Sequence, residues 1–373
     1  MTDLRPQLRL LVRAVVFAAL FASVAEVVLR TALPARESPY PRQEPLERLM
    51  TFDPIDNARG TFTAGRYAQL RVPYSVNAQG WNAGEDYLPA ASRPEPLVAV
   101  LGDSQVEGFY VAWSDHIAQR LERASGGACV GYAFGGSGYR LAQYPAVTRY
   151  MARTGMAPEV VVLLLDVGDV SGSLRTFGIK PGVQYIAEQT PDGAGFVEVP
   201  PTPYQTTPTR RLLRQSAIAR YLLFNAKLDL FGQDAPAEPA LGAPSVPPES
   251  QPENTATLDA YVEWSVAAMR AALPEARFVL LLDADRRAIY RGDTPVPVLP
   301  TTPFFERACA RHPDVLACVD LAPVFDARYR ADGQRFDFDF NPHWSAHGHA
   351  VAAEAVFDAL RARGWLTGPR GAE

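Results

Sequence analysis

Leu97-Val98-Ala99-Val100-Leu101-Gly102-Asp103-Ser104 is the stretch that decides the fold. An apolar run of strand length, closed by a glycine and a serine, reads as a buried strand that presents a hydroxyl at its C-terminal end. Open α/β sheets bind their ligands at that end. A nucleophilic serine needs a base, and Asn341-Pro342-His343-Trp344-Ser345-Ala346-His347-Gly348-His349 offers three histidines near the far end of the chain. Only folding can bring the two stretches together.

Outward from Leu97, apolar runs of strand length recur at 98–101, 129–134, 160–165, 278–282 and 315–319. Helix-like stretches lie between them, around 116–123, 141–153, 258–272 and 304–311, and a last one covers 348–363 with Val351, Ala355, Phe357 and Leu360 on its apolar face. Alternation of this kind predicts an α/β fold: a mostly parallel five-stranded sheet with helices on both faces, in three layers. Residues 170–256 interrupt the alternation. They read as an insertion holding a hairpin over 182–199, a helix over 210–230 and a Pro-rich loop over 234–253. Upstream, short segments between Phe52 and Asn82 read as a small β extension. The expected organisation is an N-terminal segment over 1–34, a linker with the β extension over 35–96, and the main domain over 97–370.

The 373 residues are 47% hydrophobic and 21% charged, an ordinary globular composition with material for one large core or two modest ones. A net charge of −5 gives no reason to expect a nucleic-acid partner. Lysine occurs only at Lys180 and Lys227, so the arginine excess reads as compositional bias. Arg5, Arg9 and Arg13 precede an apolar run over 14–25, the pattern of an export signal whose positive side stays in the cytoplasm. An uncleaved single-pass anchor in a bacterial inner membrane is the expectation. A signal cleaved near Ser23-Val24-Ala25 is the alternative, and a cytosolic amphipathic helix the third option. Either of the first two puts the remaining chain on the periplasmic or extracytoplasmic side. Cys309 and Cys318 are spaced so that they can pair there, while Cys129 reads as a core residue. No Cys/His spacing suggests zinc, and no cofactor is expected.

Three stretches carry a family resemblance. Val100-Leu101-Gly102-Asp103-Ser104-Gln105-Val106-Glu107-Gly108, then Ala133-Phe134-Gly135-Gly136-Ser137-Gly138-Tyr139, then Pro342-His343-Trp344 with His349 follow the order of motifs in the SGNH (GDSL-like) esterases, which this sequence resembles. The resemblance implies a flavodoxin-like hydrolase fold, with Ser104 as nucleophile and His343 as general base. The N–H groups of Ser104 and Gly138 would serve as oxyanion donors. His349 matches a position that opens the last helix, His347 has no counterpart, and His116 and His312 read as surface or capping residues.

The sequence departs from the family at two places. Where the third motif carries an asparagine amide for the oxyanion hole, Gly168 stands in Leu165-Asp166-Val167-Gly168-Asp169. Where an aspartate two residues before the histidine orients it, Asn341 stands instead. Asp339 or Asp337 can replace that acid by folding back, Asp166 or Asp169 can approach from the third strand, or a Ser–His dyad works alone. The implied activity is cleavage of an ester on a small molecule or polysaccharide. The alternatives are acyl transfer onto an envelope polysaccharide, and binding of a glycan or partner without catalysis. Trp113, Tyr139, Tyr185 and Trp344 are aromatic residues for a sugar cleft or, more ordinarily, for the core.

Overall fold

Period-two alternation within five apolar runs builds the central sheet. Its strands are β1 (Leu97–Gly102), β2 (Val130–Gly135), β3 (Val160–Leu165), β4 (Arg277–Leu282) and β5 (Leu316–Asp320). All four pairings are parallel and the order is β5-β4-β3-β1-β2. The structure, a computed structural model, describes residues 5–228 and 247–366.

The helices are α1 (Arg5–Thr31), α2 (Ser104–Glu107), α3 (Ile117–Ala124), α4 (Tyr144–Arg153), α5 (Pro208–Gln215), α6 (Ala217–Arg220), α7 (Thr255–Ala272), α8 (Arg286–Arg291), α9 (Thr302–Arg311), α10 (Leu321–Asp332) and α11 (Ala346–Ala362). Leu97, Ala99 and Leu101 of β1 face α4, α7 and α9, together with Leu163 and Leu280. Val98 and Val100 face the other way with Val162 and Val279, against α3, α10 and α11. A sheet covered on both faces leaves no solvent side for polar residues, which is why its strands read as unbroken apolar runs. The expected three-layer α/β/α architecture is therefore the observed one.

The chain passes from β1 to β2 on one side, then crosses to β3 on the other side of β1. The carboxyl end of β1 is thus the point where strand order reverses, the crevice in which doubly wound sheets bind ligands. Ser104 follows directly.

Contacts divide the chain into two units, one made of residues 5–38, 60–73 and 205–228, the other of 39–59, 74–204 and 247–366. The second holds the sheet and all of its flanking helices. It also holds a short pairing of Pro41–Gln43 with Met50–Phe52, and the expected hairpin, seen as Ile186–Gln189 paired with Phe196–Val199. The first gathers residues that the sequence reading assigned separately to anchor, extension and insertion. In it the single helix expected over 210–230 is broken. Ser216 is extended (φ −81°, ψ 124°), and its hydroxyl accepts the Ala219 N–H to begin α6, which ends in a π turn over Tyr221–Asn225. A serine that can cap competes with helix continuation. Residues 229–230 of that expected helix, 234–246 of the Pro-rich loop and 367–370 of the main domain lie outside the described residues.

In α1, Gln7–Thr31 is long and apolar enough to cross a membrane. Cys309 and Cys318 are joined, tying α9 to β5 with Cα atoms 6.0 Å apart, and Cys129 is a buried free thiol. Tyr139, Tyr185 and Trp344 are buried and Trp113 packs against the core, so these aromatics fill the interior rather than line a cleft.

His116 departs from expectation. It occupies the N-cap position of α3 without capping, and its ring is buried 5.2 Å from that of His349. The reason is Gly108, whose left-handed turn (φ 74°) leaves the space the ring fills; a methyl group there would overlap the imidazole. Burial lowers the His116 pKa to about 4, against a contribution from the Val106 carbonyl that raises it. Burial first, then His116, His343 and Arg120, push His349 well below its ordinary value.

A histidine whose folded pKa lies below its unfolded value of about 6.5 contributes full stability above that pH and loses it as acid protonates the unfolded chain. The partly buried Asp103 and Asp166, with pKa values raised to about 6 and about 7, work in the opposite direction. The histidine effect is therefore isolated by difference. Between pH 6 and 4.5 the wild type should lose about 1 kcal/mol per pH unit more than His116→Gln, measured by urea unfolding at each pH.

Candidate active site

The serine end of the site is built by a sharp strand-to-helix turn. Gly102 ends β1 where a side chain would overlap Val106. Asp103 caps α2, its Oδ1 accepting the Gln105 N–H at 2.9 Å, so it does the structural work that an aspartate before a helix commonly does. Burial raises its pKa to about 6, with Asp283 adding to the rise and the Gln105 N–H and Arg286 opposing it. One turn later, the buried Glu107 accepts the Ser137 N–H at 3.1 Å and the Ser137 hydroxyl. Gly135 allows β2 to approach the Val106–Glu107 backbone so closely that any side chain would overlap it. The glycine turn that contains Gly138 is in this way tied to the helix that contains Ser104.

The histidine end comes from a short antiparallel hairpin, Asp337–Phe338 with Asn341–Trp344. Arg286, at the start of α8, pins it. One guanidinium nitrogen binds the Asp283 carboxylate, another donates to the Pro342 carbonyl at 2.9 Å, and Nε lies 3.5 Å from Asp337. Gln105 adds a direct tie, its Oε1 accepting the Trp344 N–H at 2.7 Å. The result is a His343 Nε2···Ser104 Oγ hydrogen bond of 2.8 Å between residues 239 positions apart.

Behind the imidazole stands Asn341. Its Oδ1 accepts from His343 Nδ1 at 2.5 Å and from the His343 backbone N–H at 2.9 Å. A backbone N–H can only donate, so it fixes the amide with oxygen toward the ring. Asn341 Nδ2 points the other way, donating to the Tyr110 hydroxyl at 3.4 Å. Nδ1 therefore carries the proton and Nε2 is free to accept from Ser104. In serine-protease triads an aspartate-to-asparagine change costs about 10⁴ in rate because it yields the wrong tautomer. Here the asparagine gives the right one and withholds only its charge. Tyr110 stacks on the His343 ring at 3.9 Å between centroids and 12° between planes, presenting a π face to any imidazolium.

The other candidates are elsewhere. Asp339 is at the hairpin tip, its side chain 88% exposed and 3.6 Å from Arg335, so it is not brought to His343. Asp337 lies between Arg286 and Arg335. Asp166 and Asp169 close their own turn, Asp169 Oδ2 accepting the Asp166 N–H at 2.7 Å. Burial foremost, with Asp283 adding, lifts the Asp166 pKa to about 7, and burial raises Asp169 well above its ordinary value. Gly138 (φ 74°) follows β2 and Gly168 (φ 81°) follows β3, the two strands flanking β1. A side chain built at Gly168 meets only open space, whereas one at Gly138 would reach Gln184, whose amide donates to the Ser137 carbonyl at 2.8 Å. His312 pairs with Glu263 and His347 lies 3.5 Å from Asp332. Among the described residues no group of three or more His, Cys, Asp or Glu side chains could hold a metal ion.

Gln105, Glu107, Tyr110 and Arg286 are the residues that sequence reasoning missed. The first three stand within six positions of Ser104, and that proximity was the one available signal. Arg286 had none.

No protein-family model and no curated protein matches the chain. Similar solved structures include a carbohydrate esterase family 2 enzyme with a carbohydrate-binding domain from Myceliophthora fergusii, at 15% identity and TM-score 0.37 over 74% of this chain and 68% of that one. A member of the lipolytic G-D-S-L family from Veillonella parvula is 10% identical, TM-score 0.37, covering 71% and 98%. The catalytic domain of peptidoglycan O-acetyltransferase A from Streptococcus pneumoniae is 10% identical, TM-score 0.34, covering 72% and 95%. At these identities and scores no activity carries over from them.

The asparagine makes the site's rate testable. Asn341→Asp supplies the missing negative charge without disturbing the tautomer. Ester kcat/KM should rise at least tenfold, while Asp339→Ala should stay within twofold of wild type. Steady-state hydrolysis by the two purified variants checks both, and collapse of activity in Asp339→Ala would show that the acid had been misassigned.

Proposed function

We propose that this chain is a serine esterase of the SGNH type, working through a Ser–His acyl-enzyme on the extracytoplasmic side of the membrane that α1 anchors it to. The observation that carries the reading is the hydrogen-bonded line from Ser104 through His343 to Asn341. It supplies what nucleophilic catalysis needs: a hydroxyl within reach of a base, and that base oriented by a third group. Its position at the strand-order reversal supports the same reading.

In the proposed cycle Ser104 Oγ attacks the ester carbonyl as its proton passes to His343 Nε2. The Ser104 and Gly138 N–H groups receive the oxyanion, and the imidazolium returns its proton to the departing alkoxide. Water, activated by the same imidazole, then releases the acid. Two features make this a slow version of the chemistry. Gly168 contributes no side-chain amide, and loss of one oxyanion donor costs about 10²–10³ in rate. Asn341 cannot neutralise the imidazolium. The acyl group would come from an ester-bearing small molecule or polysaccharide. A carbohydrate hydroxyl replacing water at the second step would make the same site an acyltransferase.

The test is p-nitrophenyl acetate hydrolysis by the full chain in detergent, beside Ser104→Ala. Turnover should fall at least 10³-fold in the variant, and a fluorophosphonate should label the wild type alone. Equal rates in both proteins, with no labelling, would leave a binding protein.

A further inference from the structure

The stretch that carries the nucleophile also carries a platform for the base. Left-handed Gly108 opens a turn that the Val111 N–H closes on the Gly108 carbonyl at 3.4 Å. Phe109 fixes this turn by meeting the Phe52 and Tyr74 rings edge-on, at 5.3 and 5.6 Å between centroids. The next residue, Tyr110, faces the histidine hairpin and meets three of its side chains. Its ring stacks on His343 at 3.9 Å and 12°, and its hydroxyl accepts from Asn341 Nδ2 at 3.4 Å. Phe338, which pairs with Asn341 across the hairpin, lies 6.5 Å from the Tyr110 ring, tilted by 39°.

These contacts do two things for the imidazole. A near-parallel stack sets the plane of the ring, while Asn341 on Nδ1 and Ser104 on Nε2 set its direction within that plane. The second effect concerns charge. Each time Ser104 Oγ gives its proton to Nε2 the ring becomes a cation, and it stays one until the departing alkoxide takes the proton. The Asn341 amide brings no charge to that cation. The face of an aromatic ring carries negative potential and attracts a cation lying within about 6 Å of its centre. The half-buried Tyr110 ring lies well inside that range.

We infer that Tyr110 is a positioning residue of this site: the face of its ring steadies the His343 imidazolium and takes over part of the work that an aspartate at 341 would do. The inference rests on the esterase reading, because only proton transfer from Ser104 forms that imidazolium during turnover.

The experiment varies the face of the ring at nearly constant shape. Phenylalanine, 3,5-difluorophenylalanine and 3,4,5-trifluorophenylalanine are placed at position 110 of the full chain by amber suppression. Hydrolysis of p-nitrophenyl acetate is then followed in detergent, beside wild type and Ser104→Ala. Fluorine drains the negative face and barely changes size, so a residue that only fills space shows no trend. Here kcat should fall stepwise with fluorine, by about fivefold from phenylalanine to the trifluoro ring, with KM within about twofold. With Asn341→Asp in the same chain the carboxylate supplies the charge, and the series should flatten to within about twofold. Absence of a trend, a trend carried by KM, or a trend undiminished in Asn341→Asp would overturn the role of Tyr110, while turnover that still needs Ser104 keeps the esterase reading. A loss in Tyr110→Phe alone of more than about 30-fold, beyond what a face can supply, would assign the work to the hydroxyl and also overturn it. Equal rates in wild type and Ser104→Ala would overturn the esterase reading and the role of Tyr110 together.

Discussion

The hydrogen bond between Ser104 and His343 is the constraint on which the catalytic unit depends. Its two partners are carried by the first strand of the sheet and by a hairpin that follows the last one. Neither element holds the bond by itself. α2 is a single turn, and the hairpin has too few cross-strand pairs to be stable alone. What holds them is a set of polar ties of mixed kind: Gln105 to the Trp344 backbone, Arg286 to the Pro342 carbonyl, and Arg286 in turn to Asp283 after β4. Buried Trp344 and Phe336 stand beneath, within the apolar layer formed with α10 and α11. Packing fixes the hairpin coarsely and the polar ties fix the imbalance of tenths of an ångström that a proton transfer notices.

Charge is arranged around that bond with some economy. Asp103, Asp166, Asp169 and Asp283 gather at the carboxyl ends of β1, β3 and β4; Arg286 is the cation that couples to Asp103, Asp166 and Asp283, and Arg140 the one that acts on Asp169. Burial is the largest cause that raises three of these carboxyls, Asp103, Asp166 and Asp169, above the ordinary aspartate range. His343 is oriented by two uncharged groups. Its partner on Nδ1 is an amide and its partner face is a phenol ring, which leaves the imidazole oriented from two sides and ion-paired from neither.

The sheet was legible in the sequence because each strand is buried on both faces. Five uninterrupted apolar runs became five strands, with ends shifted by one or two residues, as chain ends commonly are. Ser104 and His343 were legible because each stands in a motif. The residues that bring them together were not. Gln105, Tyr110 and Arg286 act across the fold, and a polar residue acting at long range leaves no period in the sequence. Asp339 and Asn341 are two positions apart with opposite fates: the turn at residues 339–340 carries the aspartate into solvent and returns the asparagine to the ring. Likewise, nothing in the apolar pattern over 210–230 announced that Ser216 would stop one helix and start another.

The turn after the nucleophile has a further consequence. Gly108 is left-handed, and the space its missing side chain leaves is filled by the ring of His116, itself against His349. The three positions behave as parts of one lock. A lineage that placed a side chain at 108 would have to shrink the ring at 116 in the same step or soon after, and reopening the ring's space would leave a void beside α11. Across diverging descendants of this chain, positions 108 and 116 are bound to change together, while the exposed surface of α3 drifts without regard to either.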